Sequence, residues 1–306
     1  MTAFFNMIGS FKGEFFALAA AFLWALASLW FKTLGKTIRP LELNLLKGLL
    51  ALLLFIATSL LIGESYFSLP LVSVIVLAVS GAVGIGLGDT MFFAAINRLG
   101  SSRALLLTVL APPLAALFGW AFMSEKLSLA AWAGVLITIL GVTWVISGKN
   151  KDDDGQPRRF QWSGLFFGFM AAFGQASGAV LSRWALAQGG ISALQTAVLR
   201  LIAGTFVLLL WAALRREKIG AWIKTESSPR LWGKLAAVVL LGTYTAIWLQ
   251  QLSFQFSPVG IASTLLATSP LFIIPIAALN HEKPALRDLL GGVVAIAGVA
   301  LIFLAN

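Results

Sequence analysis

Three ionisable side chains, Lys47, Asp89 and Arg200, stand inside long apolar stretches of a 306-residue sequence. A charge in such surroundings costs about 3 kcal/mol or more if the solvent is lipid, so each is a functional candidate by default. Asp89 follows Gly81, Gly84, Gly86 and Gly88. Such small residues let a neighbouring helix approach closely or leave a cavity. A carboxyl group there can bind a proton or an amine; the alternative is a structural acid, paired with a base or capping a broken helix. Lys47 and Arg200 can contact an anionic group such as a carboxylate, or neutralise an acid. The alternative for both is snorkelling to an interface about two turns away. Glu42 and Asn44, close to Lys47, read as interfacial.

Uncharged polar and aromatic groups add to the set. Trp24 and Gln175 occupy matching places in two apolar stretches, and Tyr244, Trp248, Gln250 and Gln251 stud another. Amides beside aromatics suit an amphipathic organic solute, because stacking and hydrogen bonding act together. Bonding from helix to helix is the alternative for each glutamine. Pro112, Pro113 and Pro270 fall in the middle of apolar stretches, where a missing N–H kinks a helix and frees carbonyls. Such kinks either line a cavity and act as hinges or are irregularities of helix contact. Glu125 and Glu282 are expected to cap the following helix or to pair with Lys126 and Lys283. The sequence has no cysteine and one histidine, His281. That excludes thiolate and histidine-cluster metal sites, and no cofactor or catalytic residue is expected. The run Gly84-Ile85-Gly86-Leu87-Gly88 is not a dinucleotide loop, because no βαβ unit surrounds it.

The elements that must position these groups follow from composition. Hydrophobic residues make up 59% of the chain and charged ones 11%, with a mean hydropathy of +0.92. Soluble domains carry about 25% charged residues, so the solvent here must be largely lipid. A span needs roughly 20 apolar residues. Helices are expected near 14–32, 41–62, 71–96, 102–122, 128–147, 162–184, 192–213, 232–256, 258–279 and 285–304. The fold class is therefore an all-α integral membrane protein of ten transmembrane helices. The net charge of +10 is read as Lys and Arg retained in loops on one side, and no nucleic acid is expected as a partner. The start of the chain lacks the pattern of a removable signal peptide.

A charged linker, 149–161, sits at the midpoint, and the flanking parts resemble each other. Ala20-Ala21-Phe22 is echoed by Ala171-Ala172-Phe173, Lys32 falls on Arg183, and Lys47 falls on Arg200 after a slip of two residues. Farther on, Pro113 matches Pro270, Glu125-Lys126 matches Glu282-Lys283, and Gly134 and Gly141 match Gly291 and Gly298. Charges and prolines recurring in order are hard to obtain by chance. The domains read as a five-helix repeat over 13–148 and a second over 162–306. An odd number of spans makes the second repeat enter the membrane from the opposite side, the inverted plan that secondary transporters use. Seventeen of the 22 lysines and arginines fall in odd-numbered connections, so by the positive-inside rule both termini are expected outside.

The stretch Gly88-Asp89-Thr90-Met91-Phe92-Phe93-Ala94-Ala95, continued by Pro112-Pro113 and Glu125-Lys126-Leu127, resembles the drug/metabolite transporter superfamily and, within it, the EamA-type ten-helix proteins. The resemblance spans residues 13 to 304, and the second copy runs from Ala262 through Pro270 to Glu282-Lys283. It implies efflux or exchange of small organic metabolites such as amino acids, nucleosides or drug-like solutes across the inner membrane, by alternating access. Similar proteins often carry basic residues between the second and third helices; here Gly63 to Ser68 has none. The implied partners are the lipid bilayer, a small-molecule substrate and protons as a candidate coupling ion, in a monomer or homodimer. The rivals are a membrane enzyme acting on lipid-linked substrates and a channel. The enzyme needs a cluster of nucleophile, base or metal ligands that this sequence does not supply.

Overall fold

The computed structural model describes residues 11–35, 37–99, 101–147, 162–216, 219–220, 223, 228–279 and 286–305. The linker 149–161, His281, Glu282 and Lys283 lie outside the described residues. Among those described, the long elements are all helical. They are α1 (Lys12–Leu34), α2 (Pro40–Ile62), α3 (Leu71–Leu99), α4 (Ser101–Thr108), α5 (Ala111–Met123) and α6 (Leu129–Ser147). There follow α7 (Trp162–Ala187), α8 (Ala193–Leu214), α9 (Pro229–Phe256), α10 (Val259–Leu266), α11 (Ser269–Leu279) and α12 (Leu286–Ala305). Seven stretches are long and apolar enough to cross a bilayer and three are shorter apolar helices. With α4–α5 as the fourth span and α10–α11 as the ninth, they make ten spans, five in each half. The second half is therefore threaded in the sense opposite to the first.

Local sequence sets the ends. Pro40 opens α2, where the ring already fits helical φ and the missing N–H is one that no helix would use. Gly63 closes it in the left-handed region at φ 81°. Ser192 and Gln195 form a reciprocal cap that fixes the start of α8.

Lipid-facing side chains are large and apolar: Leu61 and Leu129 are 88% and 89% exposed. The closest contacts between helices are made by small residues. Ala17, Ala20 and Ala21 of α1 and Ala171 and Ala172 of α7 are fully buried. Between apolar helices in lipid, close backbone approach replaces hydrophobic burial as the source of stability. The matching glycines of the repeats serve this in the fifth and tenth spans. A Cβ on Gly141 would overlap Ala295, and one on Gly298 would overlap Thr138, so α6 and α12 lie against each other along their length.

The regular pattern fails at four places, in matching positions of the halves. α3 contains a π-helical stretch, Ala82–Leu87, and α9 contains another, Val238–Thr245. The fourth span breaks between α4 and α5, the ninth between α10 and α11. This corrects the expectation of mid-helix kinks. Pro112 and Pro113 stand in the first turn of α5, and Pro270 in the first turn of α11. In a first turn the absent N–H has no intrahelical partner to lose, so these prolines start new helices rather than bend old ones.

Candidate functional site

All four irregularities border one cavity of about 460 Å³. Gly84 and Ile85 come from the first π-helical stretch, and Gly242 and Thr243 from the second. Thr108, Val109 and Pro112 flank one helix break; Leu266, Ala267 and Pro270 flank the other. Irregular backbone at membrane depth survives only where protein or a cavity surrounds it. Side chains help to satisfy it. Trp24 Nε1 donates to the Gly242 carbonyl at 2.9 Å, and Thr90 Oγ1 donates to the Gly86 carbonyl at 2.7 Å. The lining comes from the first four spans of each half, while α6 and α12 contribute nothing.

Three charged residues line this space: Lys47, Asp89 and Arg200. The Asp89 carboxylate accepts a hydrogen bond from Asn44 Nδ2 at 2.8 Å and lies within electrostatic reach of Lys47. The Lys47 ammonium is 5.4 Å from the centroid of the Phe31 ring. Arg200 is 6% exposed, and its Nε–H is buried without a hydrogen bond. Among the described residues no carboxylate or carbonyl reaches its guanidinium. The side chain passes beside Gly84, where a Cβ would come 3.4 Å from Nη2. Gly81, one turn away, meets the Arg200 backbone so closely that a Cβ would overlap its carbonyl. Both cations line the cavity. With all three residues ionised, the cavity carries a net charge of +1.

Gln175, Trp24, Pro112 and Pro270 line the cavity with these charges, and Pro113 does not. Three other expected site residues stand elsewhere. Tyr244 shares a 2.6 Å hydrogen bond with Thr58 and packs at a tilt against Phe55, with 4.7 Å between centroids. Trp248 belongs to the same apolar cluster against α2. Gln251 is fully buried, its Oε1 accepting from Ser182 Oγ at 2.5 Å. Gln250, its neighbour, borders the cavity instead.

Asn44 was expected at the interface; it is 4% exposed and holds Asp89. The signal was present, because Asn44 precedes Lys47 by three residues and so shares its helical face. Glu42 is buried too, bonded to the Gly220 N–H and 3.8 Å from Arg39.

A second polar assembly lies toward the end of the bundle where α1 begins. Arg183 Nε donates to Glu125 Oε1 at 2.8 Å, and its Nη1 donates to the carbonyls of Phe254 and Gln255 at 2.9 and 2.8 Å. Glu125 Oε2 accepts from the Val259 N–H at 2.8 Å, which caps α10. Glu125 therefore pairs with Arg183 rather than Lys126, and caps a helix of the other half rather than the next one in sequence. This network ties α7, α9 and α10 of the second half to the end of α5 in the first.

The model of the EamA-like transporter family matches residues 11–147 and again 162–304. No curated protein matches the sequence significantly. A solved structure described only as a protein crystal structure is similar at a TM-score of 0.78. It shares 18% identity, over 97% of this chain and 99% of its own, a likeness that bears on the fold.

Proposed function

The chain belongs to the EamA-like transporter family, and from that premise we propose that it moves small organic metabolites across the inner membrane by alternating access, as an exporter or exchanger. It is a multi-pass membrane transporter of the drug/metabolite type, not an enzyme. The observation that carries the finer reading is the cavity between the two inverted halves, bordered by two helix breaks and two π-helical stretches. A break with its own helix start on the far side can act as a hinge, because few backbone bonds must be exchanged when one half tilts against the other.

The Arg183–Glu125 network supports the same reading. It holds the halves together at one end of the cavity through bonds that can part and re-form. The positive-inside count supports that end as the outer one, with both termini outside. Protons are the proposed coupling ion, through Asp89. In proteoliposomes, internal unlabelled solute should accelerate uptake of labelled solute, as a carrier requires. Equal uptake with and without internal solute points to a pore and defeats the proposal. Asp89→Asn should abolish the response to an imposed pH gradient while leaving exchange at equal pH measurable. A gradient response that persists in this variant rules out Asp89 as the proton site.

A further inference from the structure

Arg200 is held where an uncompensated cation is costly. It is 94% buried by exposure, lies within a membrane span, and is left with a hydrogen-bond donor that nothing in the described structure accepts. A buried charge persists when it is paired, neutralised, or kept for a ligand. The fold shows no sign of pairing it. Asp89, the one acid in the cavity wall, is engaged by Asn44 and lies within electrostatic reach of Lys47. The guanidinium instead borders the open volume, beside the glycine path of α3.

We propose that Arg200 is the anchor for a carboxylate on the transported solute, and that the solute is a monocarboxylate with an apolar body. This rests on the transporter reading and names the substrate class of the same cavity. Charge sets the valence: with Lys47, Asp89 and Arg200 ionised the net +1 is neutralised by one carboxylate, whereas a phosphate monoester near −2 leaves an excess negative charge behind. Geometry sets the group, since the planar guanidinium presents paired N–H donors that match the two oxygens of a carboxylate. Ile85, Val109, Leu201, Ile247 and Leu266 make much of the remaining wall apolar. An ammonium group gains little extra, because the Asp89 carboxylate already accepts from Asn44 and has the Lys47 charge within electrostatic reach. A zwitterion is therefore no better a ligand than the plain acid.

The test is binding to the purified full chain in nanodiscs, which does not require transport. The probes are phenylacetate, cyclohexanecarboxylate and octanoate, each set against its primary amide, with phenethylamine, phenylalanine and phenyl phosphate alongside. The acids should bind more than tenfold tighter than the amides and than phenethylamine, and phenylalanine and phenyl phosphate should not exceed phenylacetate. Arg200→Gln should lose more than tenfold in affinity for the acids, and Arg200→Lys should keep the preference for acid over amide. Arg200→Gln should unfold at the same or a higher temperature than the unaltered protein without ligand, since it removes an unpaired buried charge. A lower unfolding temperature marks a structural arginine and overturns the proposal. So do equal binding of acid and amide, tighter binding of phenyl phosphate or phenylalanine, or binding by none of the acids. Acids that bind through Arg200 but are not exchanged in proteoliposomes uphold this inference and defeat the transport reading.

Discussion

Arg183 and Arg200 lie on successive spans, α7 and α8, and the fold treats them in opposite ways. Arg183 donates to a carboxylate and two carbonyls, all within 2.9 Å. Arg200 is more deeply buried than the Arg183 side chain and meets no acceptor among the described residues. The same side chain thus closes a seam between the halves at one end and lines the cavity with no acceptor among the described residues at the other position. The difference separates polar groups that stabilise one conformation from those that wait for a solute.

Substitution of both arginines by glutamine breaks or upholds that contrast most strongly. Arg183→Gln leaves Glu125 without its main partner and should cost about 3 kcal/mol, as removal of one member of a well-bonded, largely buried pair does. Thermal unfolding in detergent reads this as a clear fall in midpoint. Arg200→Gln should show no such fall while losing more than tenfold in solute affinity. If the two variants fall equally in stability, the contrast is void. Gln251 tests the same division with a smaller effect. Gln251→Leu strands the Ser182 hydroxyl and should cost about 1–2 kcal/mol, with solute preference unchanged. The smallest effect belongs to Tyr244→Phe, which loses one hydrogen bond to Thr58 and should cost about 1 kcal/mol at most. A change of solute preference in either variant returns that residue to the site.

The spans were legible because length and apolarity are written directly into the chain; the ten expected stretches meet the observed helices within a few residues. Lys47, Asp89 and Arg200 stood out because charge is rare in such stretches, and all three do line the cavity. The prolines were visible but misread. Hydropathy runs unbroken through residues 104–123, so composition does not separate a kinked helix from a helix that ends and restarts. The π-helical stretches leave no compositional trace either, since only the hydrogen-bond register changes. That change matters for side-chain direction. The i→i+5 register in Val238–Thr245 accommodates extra residues, each of which rotates the rest of α9 by about 100°, so simple periodicity misassigns which of Trp248, Gln250 and Gln251 faces the cavity. The Arg183–Glu125 pair joins residues far apart in sequence, and periodicity within one helix contains no information about it.

Because the natural sequence has no cysteine, one introduced thiol reports the accessibility of one place. Ser263 borders the cavity, and Ser263→Cys is a near-isosteric change. With the Arg183–Glu125 seam intact, a membrane-impermeant maleimide should modify this thiol from the side of the odd-numbered loops. Adding Arg183→Gln should open modification from the opposite side. Equal rates of modification from the two sides in both backgrounds, or modification from neither side in either background, contradict a carrier that works by alternating access around this cavity.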